Sequence, residues 1–331
     1  MAIRTWHQFW LVPTLVFILP ILGLSLVLHR GEPLQPGAEA AIDEASALIR
    51  GQALRAPGKD WEALRQAAHA SLGRKPSTAD LDRALSGLVQ ALGDPHSQYL
   101  PPSTAKALLS SAAPTAAPPA SLQSRSGWPV LALSSFNSVN DEAAREAAGL
   151  IRRHTEQAIH AQPCGLIVDL RENSGGNMYP MLDGLRPLLG VGALLAFQAR
   201  DGSRTTVSRD SVAQALGGLD STAATQPNTE HYRGRIAILI GEHTASSGEM
   251  VTLALRSQPN ARSFGQRSAG FTTANTVLTL SNGGLLALTV ARTLNSQGQP
   301  IEGALLPDEA LPAGSDAAEV AIRWLSQGCP G

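Results

Sequence analysis

Five apolar residues follow one another from Ile236 to Ile240, and a polar turn leads from them into Met250-Val-Thr-Leu-Ala-Leu-Arg256. A run this short with nothing polar in it reads as a strand covered on both faces, and the stretch beyond the turn has helical spacing. Ser246 stands where the strand has ended and the helix begins, in front of unpaired N–H groups and the positive end of the helix dipole. That position has two readings. Either the hydroxyl attacks a carbonyl while neighbouring amides receive the negative charge, or Ser246 and Glu249 form a capping box that only finishes the helix.

The alternation of strand and helix signals extends through the second half of the chain. Pro129–Leu133 reads as a strand, 139–160 as an amphipathic helix, Gly165–Arg171 as a strand, 177–189 as a helix and 192–199 as a strand. Such alternation implies an α/β fold with a mixed, mostly parallel sheet. After residue 260 the pattern becomes two strands round Asn282-Gly283-Gly284, so a terminal hairpin closes the domain. Residues 315–326 read as a last helix. The polar, turn-rich stretch 200–233 is either a lid over a site or a surface excursion.

Ahead of this core the chain changes character twice. Residues 9–28 carry no charge and are long enough to cross a bilayer as one helix. His29-Arg30 follows instead of a small-residue cleavage pattern, so residues 1–30 are expected to be an uncleaved membrane anchor. Residues 31–108 hold a small helical domain, with apolar residues three or four apart from about 38 to 92 and Thr78 placed to cap the third helix. It ends in Gly93-Asp94-Pro95-His96-Ser97-Gln98-Tyr99-Leu100-Pro101. Residues 109–127, rich in Ala, Pro and Ser, read as a linker too short to hold a domain, and residues 128–331 as the core domain.

Apolar residues make up 43% of the chain and charged ones 16%, with a formal charge of −1, so most of it is globular and lacks the basic footprint of a nucleic-acid binder. The two cysteines are too few for a disulfide framework or a common zinc site. Cys164, just before an apolar strand, reads as a buried thiol and Cys329 as an incidental one, with a bridge between them left open.

Three places join Ser246 as candidates. Asp169-Leu-Arg-Glu-Asn-Ser-Gly-Gly-Asn177 is a strand ending in a polar turn, where Gly175 and Gly176 either turn backbone amides outward to an anion or merely reverse the chain. His96, pinned behind Asp94-Pro95, needs little tuning to accept a proton from serine. Glu302 is a carboxylate in a turn after the hairpin.

Taken in order, Gly-Asp-Pro-His-Ser-x-Tyr-Leu, Gly-Leu-Ile-Val-Asp-Leu-Arg-x-Asn-x-Gly-Gly, Thr-Ala-Ser-Ser-Gly-Glu, Phe264-Gly-Gln-Arg-Ser-Ala-Gly-Phe-Thr-Thr and Glu302 to Pro307-Asp308 resemble the C-terminal processing peptidase and tricorn protease family of serine peptidases. The resemblance runs from about residue 60 to 310. It implies a crotonase-like (Clp protease-like) core, Ser246 as nucleophile, and an oxyanion hole from the amides of Ser247 and of Gly175 or Gly176. The processing-peptidase branch takes its base from a lysine about two dozen residues beyond the serine. The only lysines here are Lys59, Lys75 and Lys106, all ahead of the core, and the linker leaves no room for that branch's PDZ domain.

Both departures point to the tricorn-like and nisin-resistance-protein-like branch, in which a histidine matching His96 is the base and a glutamate, best matched by Glu302, orients the catalytic groups. His243, three residues before Ser246, is the rival base. The resemblance thus implies an endopeptidase or carboxy-terminal processing (tail-specific) peptidase working through a Ser-His acyl-enzyme, with no metal or cofactor. Its substrate would be a peptide or unfolded protein tail. The body would lie outside the cytoplasm, anchored in the bacterial inner membrane. The alternative is a peptide-binding protein that has kept the scaffold and lost turnover.

Overall fold

The computed structural model describes residues 37–109, 118–138, 140–216 and 232–329. The apolar stretch 9–28 lies outside them, as do 110–117 of the expected linker and 217–231 of the polar stretch. Among the described residues no helix is long and apolar enough to cross a membrane.

The chain opens with three helices, α1 (Ala38–Gln52), α2 (Trp61–Ser71) and α3 (Thr78–Gln90), followed by the short strand β1 (Gln98–Leu100) and α4 (Pro102–Leu109). The α3 cap falls one residue earlier than expected: Ser77 Oγ accepts from Asp80 N at 3.2 Å and the Asp80 carboxylate accepts from Ser77 N at 3.0 Å. A hydroxyl with an acid three residues on satisfies two end amides at once, which Thr78 has no partner to do.

An antiparallel pair follows, β2 (Ala120–Arg125) and β3 (Trp128–Leu133), then α5 (Asp141–Ala161), β4 (Gly165–Asp169), α6 (Met178–Gly184), β5 (Ala193–Ala199), β6 (Arg204–Ser208) and α7 (Arg209–Ala215). One expectation is corrected here: residues 120–125 of the supposed linker are a strand. Residues 204–215 of the polar stretch form a strand and a helix, which leaves both readings of that stretch open. β2 is an edge strand burying only Ala120, so Ser-Leu-Gln-Ser-Arg carries no apolar signature, and its partner's backbone supplies the pairing.

Beyond these come β7 (Arg235–Ile240), α8 (Ser247–Arg256), β8 (Ala261–Gly265), β9 (Thr273–Thr279), β10 (Leu285–Asn295), β11 (Pro300–Ile301), β12 (Glu309–Ala310) and α9 (Ala317–Ser326). One sheet has the order β12-β8-β7-β4-β3-β2, parallel except for its last pair. β7 shows why its run is wholly apolar. Ile236, Ile238 and Ile240 enter the cluster under α5, α6 and α8, while Ala237 and Leu239 enter a second one under α9 with Phe264, Ile322 and Leu325. Each Ile, Leu or Phe among them contributes about 1.5–3 kcal/mol by leaving water.

The expected terminal hairpin is instead the centre of a second, antiparallel sheet. β10 pairs with β9, β1, β5 and β11, and β6 lies beyond β5. Its register shifts between Thr289 and Ala291, a bulge that takes local backbone groups out of the ladder. The N-terminal helices close over this hairpin, with Ile42, Ile49, Leu85, Leu88 and Val89 in one cluster with Leu280, Leu286 and Leu288.

Cys164 and Cys329 form a disulfide, with their Cα atoms 5.4 Å apart. This replaces the reading of two separate thiols; only folding α9 across β4 brings positions 165 residues apart together. Closing so long a loop removes much freedom from the unfolded chain. Cys164→Ser/Cys329→Ser protein should therefore lose about 2–5 kcal/mol of stability, read from its denaturant midpoint. A midpoint equal to that of the unreduced parent would show that the bridge bears no load.

Candidate active site

The turn after β7 is fastened before it reaches Ser246. Thr244 Oγ1 donates to the Leu170 carbonyl at 2.8 Å and accepts from Gly241 N at 2.9 Å, and Ala245 N donates to the Asn173 carbonyl at 3.0 Å. Ser246 then takes φ 54° and ψ −114°, a region L residues enter at a cost of about 1–3 kcal/mol. The strained peptide is held from behind: the Glu249 carboxylate accepts from Ser246 N at 2.7 Å and from Gly270 N at 2.9 Å, and Ser268 Oγ donates to it. Ser246 is 1% exposed and Glu249 wholly buried. The reach-back of Glu249 expected from the capping reading is present, yet the Ser246 hydroxyl faces elsewhere.

It faces His96. Nε2 of that ring lies 3.2 Å from Ser246 Oγ across 150 residues of sequence, and Nδ1 lies 2.6 Å from Thr273 Oγ1. The turn carrying His96 is docked by its backbone. Asn275 Nδ2 donates to the His96 carbonyl at 2.6 Å, and Thr289 N, which falls between the β10 residues paired with β1 and those paired with β5, donates to Ser97 Oγ at 2.9 Å. Phe271 covers the ring with centroids 5.1 Å apart.

The two glycines have different roles. Gly175 has φ +114°, and a Cβ there would stand 2.9 Å from Ser246 Cβ; Gly176 has φ +107°, and a Cβ there would stand 2.1 Å from the Phe136 carbonyl. Neither position accepts a side chain. Gly175 N is already committed to Asn173 Oδ1 at 3.0 Å. The amides of Gly176 and Ser247 donate to nothing among the described residues, and Ser247 Oγ ties the two segments by donating to the Gly176 carbonyl at 2.5 Å.

Two other expected candidates make no hydrogen bond to Ser246 or His96 among the described residues. His243 is exposed and pairs with Glu172 at 3.2 Å. Glu302 is exposed and bonds to neither His96 nor Ser246; the turn that carries it is tethered through Thr272 Oγ1 to the Gly303 carbonyl at 2.8 Å and through Leu305, whose N donates to Ser268 Oγ at 2.7 Å and whose carbonyl accepts from Ser268 N at 3.0 Å. The glutamate that touches the site is Glu249, because it shares the first turn of α8 with the serine. Sequence reasoning missed Thr273 and Asn275, polar residues in a strand, and read Asn173 only as part of a turn. Asn173 is fully buried, and its Nδ2 donates to the Leu133 and Ser134 carbonyls at 3.3 and 3.2 Å, joining β3, the glycine turn and the serine turn.

Burial sets the charges. It lowers the His96 imidazole to about 4, with the Asp94 charge pulling the other way. It pushes Glu249 up to about 7 against the hydrogen bonds from Ser268 and the Ser246, Gly270 and Phe271 amides. His96 is therefore a neutral acceptor near pH 7. Its contribution to stability is present above the unfolded value of 6.5 and lost as pH falls towards 4. Glu249 has the opposite sign, contributing fully below its unfolded 4.5 and losing that as pH rises through about 7. Unfolding measured from pH 4.5 to 7.5 should accordingly show the parent losing stability relative to Glu249→Gln as pH rises. Parallel profiles would mean the carboxyl is not perturbed.

Residues 129–311 match peptidase family S41. The chain is 35% identical over 153 residues to a nisin-resistance protein of Lactococcus lactis subsp. lactis, covering 46% of each chain. It is 28% identical over 181 residues to the chloroplastic carboxyl-terminal-processing peptidase 2 of Arabidopsis thaliana, covering 54% of this chain and 31% of that one. The matches thus span less than half the length of either curated relative. Among solved structures, a lipoprotein from Streptococcus agalactiae superimposes with a TM-score of 0.76 at 26% identity, covering 89% of this chain and 98% of that one. A photosystem II D1 C-terminal processing protease shares the fold, with a TM-score of 0.56 at 16% identity, covering 89% and 99%.

Proposed function

The chain belongs to peptidase family S41, and from that membership we propose that it is a serine peptidase with Ser246 as nucleophile and His96 as general base. The observation that carries the reading is the 3.2 Å contact between Ser246 Oγ and His96 Nε2, which puts an imidazole within reach of the serine proton. His96 Nε2 accepts that proton as Oγ attacks the substrate carbonyl, and the same nitrogen returns it to the leaving amine. The oxyanion rests on the unpartnered amides of Ser247 and Gly176, the second in preference to Gly175, whose N–H is engaged by Asn173. Each such donor is worth about 10²–10³ in turnover. Water then attacks the acyl-enzyme, with His96 again taking a proton.

The core is of the crotonase-like kind the family uses, and the substrate is a peptide or an unfolded protein tail. Hydrolysis takes place outside the cytoplasm, with residues 9–28 as the anchor in a bacterial inner membrane. The disulfide supports that placement, since such bridges persist in oxidising compartments. One relative is named for resistance to nisin, which makes short extracellular peptides the first substrates to test.

A fluorophosphonate probe should label the folded protein and Ser247→Ala but not Ser246→Ala. His96→Ala should cleave peptides at least about 10²–10⁴-fold more slowly with an unchanged circular dichroism spectrum. No labelling of the folded parent would leave only the alternative of a peptide-binding protein without turnover, and full activity in His96→Ala would sink the base assignment.

A further inference from the structure

In the reading of His96 as base, its far nitrogen needs a partner. Serine hydrolases commonly place a carboxylate there. Here Glu302 stays at the surface, and Asp94 spends its oxygens locally, accepting from His96 N at 3.1 Å and from Ser97 Oγ at 2.6 Å. The partner of Nδ1 is Thr273 Oγ1 at 2.6 Å. Thr273 is well fixed for the purpose. It opens β9 in register with Arg292, its neighbour Ala274 is in the core, and its other neighbour Thr272 is bonded to the Gly303 carbonyl.

A hydroxyl can donate or accept, so distance alone leaves the ring's tautomer undecided. Burial decides it. If the ring proton sat on Nε2, it would point at Ser246 Oγ and leave the serine hydrogen without an acceptor in a site where that residue is 1% exposed. With the proton on Nδ1, Ser246 donates to Nε2, Nδ1–H donates to Thr273, and the threonine's own hydrogen is the one left over. Thr273 is only partly buried and can give that hydrogen to water. We propose that Thr273 is the positioning residue of this site: its hydroxyl accepts from Nδ1–H, holds the Nε2 lone pair on Ser246, and stands where a third, charged member would otherwise be. During attack the imidazolium formed by the serine proton then leans on a neutral dipole.

This inference rests on the peptidase reading for its kinetics but not for its structure, and the test separates the two. In protein labelled with 15N-histidine, with the His96 signal assigned by its loss in His96→Gln, the ring should carry its proton on Nδ1. Thr273→Val keeps the volume and suits a strand. In it the ring should move towards the Nε2–H form, while fluorophosphonate labelling and kcat fall about 10- to 100-fold with KM little changed. Thr273→Ser, which keeps the hydroxyl, should restore both. A Thr273→Val protein with the parental tautomer and labelling rate overturns the proposal, as does a Thr273→Ser protein that behaves like Thr273→Val. A parent protein that neither labels nor cleaves would end the peptidase reading, while the 15N signals would still decide whether Thr273 sets the ring.

Discussion

The docking of the Asp94–Ser97 turn onto the β9–β10 hairpin is the contact without which the rest has no site. His96 belongs to the helical part of the chain and Ser246 to the parallel sheet, and the hairpin lies between them. The gap between β1 and β5 along β10 leaves the Thr289 amide to donate to Ser97 Oγ, and Asn275 grips the His96 carbonyl from the neighbouring strand. The leucine cluster beneath supplies the free energy that keeps the helices there. Specific hydrogen bonds then fix the ring to a tolerance apolar packing alone does not give.

The serine is held by a complementary device. A left-handed backbone at a non-glycine residue persists only if its surroundings over-determine it. Around Ser246 they do, through Glu249 behind its amide, Gly175 packed against its Cβ and Asn173 fastening the preceding residue. Glu249 is costly to bury, and burial outweighs the donors around it, so the carboxyl behind the nucleophile turn is held towards its protonated form. Strain at the nucleophile and an unusual carboxyl next to it have one cause, the need to present Oγ forward from the tip of α8.

Much of this was readable in the residues. The apolar run of β7 announced a strand between two layers, the glycine pair announced a tight turn, and Asp94-Pro95-His96-Ser97 stood out within a helical region. Strands whose side chains are polar or small, such as β2 and β6, were invisible because partner backbones rather than their own side chains place them. Asn275 carried no signal either, since a polar residue facing a site has the same spacing in a strand as one facing water, and Thr273 stood only as the last residue of the Phe264–Thr273 motif, with no role attached. Glu302 rests on the match of motif alone: such a match fixes a position in sequence, whereas contact with His96 depends on how the turn beyond β11 is laid down, and there the side chain is exposed.

The bridge between Cys164 and Cys329 turns the span between them into a covalent ring. Ser246, the glycine pair and Thr273 all lie inside it, while His96 lies on the tail that leads in. A single backbone cut anywhere in the ring leaves its pieces joined, so the nucleophile, its amides and the residue behind the imidazole stay on one molecule. A cut between His96 and Cys164 has the opposite result, leaving the base attached to the remainder by packing and hydrogen bonds alone. In surroundings rich in proteases, that stretch of chain is where one nick would part the two halves of the dyad.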